Sequence, residues 1–279
     1  MSFLIKFYNF MTMTWNEPTS FGLYHILCIL TVAGLTVAIC KIFKDCSDKT
    51  LRRISAIVWI VIVAFELYKN ITYGFEVEDG RFVWDYPWYI FPFQFCSSPL
   101  YIIPIIAFAK DSKLRDCCLY YMMTFSFFAG FVVFCYPNDV FVETVGINLQ
   151  TMLHHGSQIM LGAFYATRYR DKLNVKRVFD GAKVFVGMVL IAMVINIVGY
   201  HLLRHFGADD TFNMFYISPY FPCTLPLLDV ICEKVPYIIF VMIYFFGFIL
   251  CAYVIYWAFV GIKAAINRYI STKGVEKVN

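Results

Sequence analysis

Residues 236–262 read PYIIFVMIYFFGFILCAYVIYWAFVGI and contain no charged side chain. About 20 consecutive, mostly apolar residues in an α-helix are enough to cross the hydrocarbon core of a bilayer. The segment therefore predicts a transmembrane helix. Its long continuous apolar run does not fit the short alternating strands of a transmembrane β-barrel.

The composition of the whole chain agrees with this prediction. The 279 residues are 61% hydrophobic, 20% aromatic and only 15% charged, whereas a soluble domain is about 45–50% apolar and about 25% charged. These values exclude a soluble enzyme, a disordered chain and a small disulfide scaffold. The N-terminal residues do not form a cleavable signal peptide, because Lys6, Asn9 and Glu17 interrupt any apolar core.

Six further segments have the length and apolarity of a membrane span. We therefore predict an all-α polytopic membrane protein with seven transmembrane helices, forming a single domain over residues 1–279. The third and fifth segments are the most polar. In chain order the segments are 21–43, 54–73, 88–109, 117–136, 147–166, 182–203 and 236–262.

The basic residues predict the orientation, since cytoplasmic loops carry an excess of Lys and Arg. Seventeen of the 23 lie in the segments after spans one, three, five and seven, and only five lie in the other set. The N-terminus is therefore predicted outside and the C-terminus in the cytoplasm. The cytoplasmic set is Lys41, Lys44, Lys49, Arg52, Arg53, Lys110, Lys113, Arg115, Arg168, Arg170, Lys172, Lys176, Arg177, Lys263, Arg268, Lys273 and Lys277.

The net charge of +4 is consequently a topology signal. Basic residues beside a bilayer face anionic lipid, so the expected partners are membrane lipids and not nucleic acid. The sequence sets no oligomeric state.

Four polar or reactive side chains lie at similar depths below the predicted outer surface. At 1.5 Å per helical residue, Cys96 and His155 lie about 12 Å from the outer ends of their spans, and Glu66 and Asn196 about 10 Å. Polar groups inside a membrane are costly and mark functional sites. The shared depth predicts a polar cavity that opens outward.

The fifth span carries polar side chains on one broad helix face. Such a face cannot contact lipid. A hydrogen-bonded seam between helices would account for the threonine and glutamines, whereas two adjacent histidines indicate a function. One stripe contains Asn148, Thr151, His155 and Gln158, and its neighbour contains Gln150, His154 and Ser157.

The third span contains Cys96 just before a helix break. Pro99 cannot donate a hydrogen bond to the carbonyl of Phe95, so the helix must kink or restart there. If it restarts, Pro99 fits the first helical position and Ser98 or Ser97 the cap. Cys96 would then lie beside the positive end of a helix dipole, which favours the nucleophilic thiolate. The alternative is a small apolar packing residue, as we interpret the other membrane cysteines.

Three further observations bear on the chemistry. Glu66 can orient a histidine or pair with Lys69, and we favour the first role. Cys223 and Cys232 share an outside loop, where a disulfide can form. The ten cysteines fit no metal-binding pattern, and Walker loops, dinucleotide fingerprints and HExxH motifs are missing, so no metal or cofactor is expected.

The order of the motifs resembles the YwaF-like bacterial integral membrane proteins. These are similar to an animal transmembrane phospholipid acyltransferase of the same superfamily, which is thought to act through a cysteine. The chain departs from many bacterial members in having Gln94 where they have a histidine. The motifs are Glu66 in span two, Pro92-x-x-x-Cys96, Pro137, His155-Gly156, and the late residues Asn213-Met214-Phe215-Tyr216, Pro222, Leu228-Asp229 and Pro236-Tyr237.

The resemblance implies a cysteine–histidine acyltransferase or lipid hydrolase. Cys96 would be the acyl-accepting nucleophile and His155 its base, with His154 and Glu66 as further catalytic candidates. Gln94, or backbone N–H groups freed at Pro99, would stabilise the oxyanion. The candidate substrate-binding residues are Gln94, Asn196, Thr151 and Gln158, and the expected location is the bacterial cytoplasmic membrane.

Two other classes of function remain open at this stage. A small-molecule or lipid transporter or receptor would use the same polar pocket for binding only. An internal inverted repeat, which would favour transport, is not found in the sequence. A structural protein would use the polar residues only to hold helices together.

Overall fold

The computed structural model describes residues 3–276, and side chains as far as Arg268. Lys277 and the side chain of Lys273, both part of the predicted cytoplasmic set, lie outside the described residues. Within that range the chain is mostly helical. The helices are α1 (Phe3–Met11), α2 (Leu23–Phe43), α3 (Asp48–Gly74), α4 (Pro99–Phe108), α5 (Lys113–Tyr121), α6 (Phe127–Cys135), α7 (Val145–Arg168), α8 (Val175–His205), α9 (Leu228–Cys232) and α10 (Tyr237–Glu276).

Five helical segments in the described range are long and apolar enough to cross a membrane. They correspond to five of the seven predicted spans, and the other two predicted spans are the most polar ones. One of these is α7, and the other contains only the shorter apolar helix Phe95–Phe108. The five segments are Leu23–Phe43, Asp48–Gly74, Lys113–Cys135, Val175–His205 and Tyr237–Arg268.

The third predicted segment is broken, as the prolines suggest. Its first half contains two 3₁₀ turns, Trp88–Ile90 and Phe95–Ser97, and α4 begins at Pro99. The predicted restart at Pro99 is therefore confirmed. Ser98 stands at the cap position, but its side chain makes no capping bond. Its Oγ instead accepts a hydrogen bond of 2.7 Å from the Tyr121 hydroxyl.

Helix α7 lies at the centre of the molecule and packs against α2, α3 and α6. Its polar face is buried, which confirms that this face is turned away from lipid. The approach of α6 is so close that a Cβ on Gly130 would lie 2.5 Å from the carbonyl oxygen of His155. The buried polar side chains of α7 are Asn148, Gln150, Thr151, His154, His155, Ser157 and Gln158.

An aromatic core fixes the turn that contains Cys96. The Phe95 ring packs edge-on against Phe248 of α10, with centroids 4.8 Å apart, and against Phe185 of α8 at 5.7 Å. Phe185 stacks in turn on Phe125, with centroids 4.9 Å apart. Aromatic pairs of this kind contribute about 0.5–1.5 kcal/mol each beyond the burial of their area. The turn is therefore held between α8 and α10.

A β-hairpin and α1 lie at one end of the molecule, which we call the hairpin end. Strands β1 (Phe75–Glu78) and β2 (Arg81–Trp84) pair antiparallel. Asp79 and Gly80 have φ values of 47° and 73°, as a type I′ turn requires. The Tyr68 hydroxyl donates to the Met11 carbonyl at 2.7 Å, which ties α1 to α3. Neither the hairpin nor α1 was predicted from the sequence.

Ion pairs join the loops at the opposite end, which we call the basic end. Arg115 pairs with Asp48 at 2.7 Å, and Arg52 with Asp111 at 2.6 Å. Arg170 pairs with Asp45 at 2.9 Å. These contacts bring the loops after α2, α4 and α7 together. All three loops belong to the predicted cytoplasmic set.

Candidate functional site

Cys96 lies in the 3₁₀ turn immediately before α4. Phe95 and Ser97, its two neighbours, are buried, whereas Cys96 itself is partly exposed. The turn places Cys96 two residues before Ser98, the cap of a helix that starts with proline. Such a placement combines access with the positive end of a helix dipole.

The backbone of Cys96 is tied directly to α7. His154 Nε2 donates to the Cys96 carbonyl oxygen at 2.9 Å, and Gln158 Nε2 donates to the same oxygen at 2.7 Å. His154 and Gln158 lie one helical turn apart and so reach the same acceptor. The structure therefore brings together the cysteine with one of the predicted histidines and one of the predicted substrate-binding residues.

The hydrogen-bond partners determine the tautomers of both histidines. His155 Nδ1 lies 2.8 Å from the Thr151 carbonyl oxygen, and a carbonyl oxygen can only accept. His155 therefore carries its proton on Nδ1, and His154 carries its proton on Nε2. The second nitrogen of each ring is left with an unprotonated lone pair, which is the form required of a base.

Three buried acceptors on α7 have no hydrogen-bond partner among the described residues. They are His154 Nδ1, His155 Nε2 and Gln158 Oε1. A buried polar atom without a partner costs about 1–3 kcal/mol. An arrangement of free acceptors beside Cys96 fits a bound molecule that donates hydrogen bonds, such as a hydroxyl group or water.

Glu66 does not orient a histidine through the contacts that the structure contains. Its carboxylate pairs with Lys69 at 2.5 Å and accepts from Asn70 at 3.1 Å and from Gln150 at 3.3 Å. The expectation of a direct histidine partner is corrected to the ion-pair alternative, because Lys69, one turn away on α3, reaches the carboxylate first.

Gln94 holds a loop through both polar atoms of its side-chain amide. Its Nε2 donates to the Asn213 carbonyl at 3.0 Å, and its Oε1 accepts from the Phe215 backbone at 2.8 Å. Asn196 makes the same pair of contacts with both backbone groups of Met214, at 2.9 and 2.6 Å. Both residues were expected to bind substrate or an oxyanion. The structure assigns their amides to residues 213–215.

Thr151 helps to position His155 through its backbone carbonyl. Its carbonyl accepts from His155, and its hydroxyl lies 3.4 Å from Gln150 Oε1. Thr151 is buried, so it contributes to the position of the histidine.

The loop that Gln94 and Asn196 hold was missed as part of the site. Phe215 and Tyr216 both have positive φ, 58° and 57°, which is uncommon for residues other than glycine. Asn213 supports the loop by donating to the Pro222 carbonyl at 2.9 Å and accepting from the Ser218 backbone at 2.8 Å. The motif Asn213-Met214-Phe215-Tyr216 was visible in the sequence, but its contact with Gln94 was not.

Two further expectations concern cysteines and metals. Cys223 and Cys232 are free thiols, and Cys232 Sγ points to the Cys223 carbonyl oxygen at 3.7 Å. The disulfide that this loop can form is therefore not present in the structure. Among the described residues, groups of three or more potential metal ligands are not found.

The comparison with known families agrees with the membrane assignment. The model of the TMEM164 family matches residues 19–258, which is most of the chain. No curated protein and no solved structure matches the chain. Together with the five long apolar helices, the family match identifies an integral membrane protein.

Proposed function

We propose that the chain, which belongs to the TMEM164 family, is an acyltransferase that acts on the acyl chains of membrane lipids through a thioester on Cys96. The proposal combines the resemblance to the YwaF-like proteins with the geometry around Cys96. Phospholipids are the proposed substrates, and the bacterial cytoplasmic membrane remains the expected location.

The proposed membrane topology follows from the distribution of the basic residues. α4 with its preceding turns and α7 would complete seven spans, with the N-terminus outside. The hairpin end would then face outward and the basic end the cytoplasm. The site would lie about 10–12 Å below the outer surface, where a lipid can enter sideways between helices with its ester near Cys96.

The proposed reaction has two steps. His155 Nε2 takes the proton of the Cys96 thiol, and the thiolate attacks the ester carbonyl carbon. The C–O bond to the lipid breaks, and the leaving oxygen takes the proton from His155. A hydroxyl or water then gives its proton to His155 and attacks the thioester, and the C–S bond breaks. The released thiolate takes the proton back from His155, which restores the thiol and the free base.

The observation that carries the proposal is the link between Cys96 and α7. The hydrogen bonds from His154 and Gln158 to the Cys96 carbonyl hold the cysteine against the helix that supplies the free His155 nitrogen. His155 follows His154 directly on α7, so the helix that is tied to the Cys96 backbone also carries a free ring nitrogen of fixed tautomer. Nucleophilic catalysis through a thiol needs such a base. A binding pocket would need no such base.

The decisive experiment is intact-protein mass spectrometry of the purified protein in phospholipid vesicles. We expect an acyl mass that hydroxylamine removes, present in the wild type and missing in Cys96→Ala. Cys118→Ala is the matched control, because Cys118 is a fully buried membrane cysteine outside the site. It should keep the adduct.

A single-turnover trap extends the same experiment to a short-lived thioester. Rapid acid quenching within milliseconds to seconds would capture an intermediate that steady-state samples lose. If folded wild-type protein shows no adduct under either condition but still binds phospholipid, the pocket acts by binding only. The protein would then be interpreted as a transporter or receptor and not as an acyltransferase.

A further inference from the structure

Tyr244 on α10 carries a hydroxyl that is fully buried and has no hydrogen-bond partner among the described residues. Leaving such a donor unsatisfied costs about 1–3 kcal/mol. Tyr244 lies seven residues from the first residue of α10, or about 10 Å along the helix. The unpaired hydroxyl therefore lies in the half of the seventh span that is predicted to be the outer one.

The ring contacts place Tyr244 on the same side as Cys96. Tyr244 packs on Phe248 with centroids 4.5 Å apart, and Phe248 packs on Phe95, the neighbour of Cys96, at 4.8 Å. α10 therefore contributes a free donor to the surroundings of the thiol.

Tyr216 approaches Cys96 from the loop that Gln94 and Asn196 hold. Its backbone has a φ of 57°, and residues held in this region cost about 1–3 kcal/mol and cluster at functional sites. Within the described part of the chain its hydroxyl forms no hydrogen bond. The ring of Phe215, its neighbour in sequence, packs against the ring of Phe95, the neighbour of Cys96, with centroids 5.9 Å apart. Burial raises the pKa of Tyr216 to about 12, so the hydroxyl stays protonated and able to donate at neutral pH.

We propose that the hydroxyls of Tyr216 and Tyr244 form the oxyanion-binding donors for the acyl group that Cys96 accepts. The inference rests on the proposed function. In this arrangement α7 supplies hydrogen-bond acceptors on one side of the site. The loop with Tyr216 and helix α10 with Tyr244 supply hydrogen-bond donors on the other side. Gln94, the donor expected from the sequence, holds the loop that carries Tyr216.

The proposed donors act when the tetrahedral intermediate forms. The Cys96 thiolate forms a C–S bond with the ester carbonyl carbon, and the π electrons of the carbonyl move to its oxygen. Tyr216 and Tyr244 donate hydrogen bonds to that oxyanion. When the carbonyl reforms, the lipid oxygen leaves and takes the proton that His155 holds.

The test compares Tyr216→Phe and Tyr244→Phe with Tyr253→Phe. Tyr253 lies further along α10 and interacts with none of the site residues named here, so it is the matched control. We expect each of the first two variants to slow formation of the Cys96 thioester by about 100-fold, and the control to keep the wild-type rate. Tyr244→Phe should unfold at the wild-type temperature or higher, because it removes an unsatisfied buried donor.

A second measurement separates this inference from the proposed function. A long-chain fatty aldehyde adds to a thiol as a hemithioacetal, whose oxygen occupies the oxyanion position without any ester being cleaved. We expect the aldehyde to protect Cys96 of the wild type and of Tyr253→Phe from maleimide, and to protect the other two variants at least 10-fold less. Peptide mass spectrometry resolves Cys96 from the other cysteines.

The outcomes are distinct. Equal thioester rates and equal aldehyde protection in all variants would overturn the oxyanion assignment, as would a lack of protection in the wild type. If the wild type forms no thioester but its protection depends on the two tyrosines, the acyltransferase proposal fails and the donor site stands.

Discussion

The two adjacent histidines have different hydrogen-bond partners, which gives them different roles. His155 bonds to a carbonyl of its own helix and keeps Nε2 free, whereas His154 uses Nε2 to hold the Cys96 carbonyl. We therefore expect His155→Gln to lower the rate of thioester formation by about 100-fold or more, since a general base contributes about 10²–10⁴. The rate of acyl-adduct formation after rapid quenching measures this.

His154→Gln is the matched comparison, because a glutamine amide can replace the N–H that binds the Cys96 carbonyl. We expect this variant to lose less than about 10-fold in rate, well below the contribution of a general base. The opposite order, with His154→Gln the slower of the two, would make His154 the base and His155 its support.

The polar residues of the site were predictable from the sequence to a limited degree. Their cost inside a membrane singled out Cys96, His154 and Gln158, which the structure brings together. The roles of Gln94 and Asn196 were not predictable. An amide side chain serves a substrate or a backbone loop equally well, and the loop in question lies over a hundred residues from Gln94 in sequence.

At the scale of secondary-structure elements, proline gave the clearest information. Pro99 has no N–H, so it could only bend or begin a helix, and it begins α4. The hairpin was missed although Asp79-Gly80 is a strong turn signal between alternating residues. Each of its two strands has only four residues, which is far shorter than the apolar segments that dominate the sequence.

The close contact between α6 and α7 depends on Gly130, because glycine has no Cβ atom. A Cβ on Gly130 would lie 2.5 Å from the His155 carbonyl and 2.9 Å from Gln158 Cβ. We expect Gly130→Ala to lower the free energy of unfolding by about 1–3 kcal/mol, because the two backbones must move apart. Thermal unfolding in detergent measures the change.

Gly187→Ala is the control for this variant. Gly187 lies in the interior of α8 with no atom within 4 Å of an added Cβ, so alanine should leave the stability unchanged or raise it by up to about 1 kcal/mol. If both variants are equally stable, the close approach of α6 to α7 is not needed for the fold.

At the scale of the whole molecule, the burial of α7 explains why it differs from an ordinary span. A helix surrounded by α2, α3 and α6 need not be apolar, because its polar groups bond within the protein. Composition alone therefore identifies the five long apolar helical segments more readily than the polar helix α7. The span formed by α7, which carries the polar residues of the site, is therefore harder to predict from apolarity than the five apolar segments.

The two ends of the molecule differ in a way that matches the predicted orientation. Ion pairs gather the loops around Arg52, Arg115 and Arg170 at the basic end, whereas the hairpin end contains the hairpin and α1. Since these loops share one end of the fold, the positive-inside rule assigns them to the same side of the membrane.

A labelling experiment tests this orientation. Glu78 lies at the hairpin and Lys176 in the first turn of α8, and both are exposed. We expect a membrane-impermeant maleimide to label Glu78→Cys in intact cells, because the positive-inside rule places the hairpin end outside. Lys176→Cys should be labelled only after permeabilisation. Peptide mass spectrometry separates each new cysteine from the ten native ones. Labelling of Lys176→Cys alone in intact cells would invert the topology and move the Cys96 site to the cytoplasmic half of the bilayer.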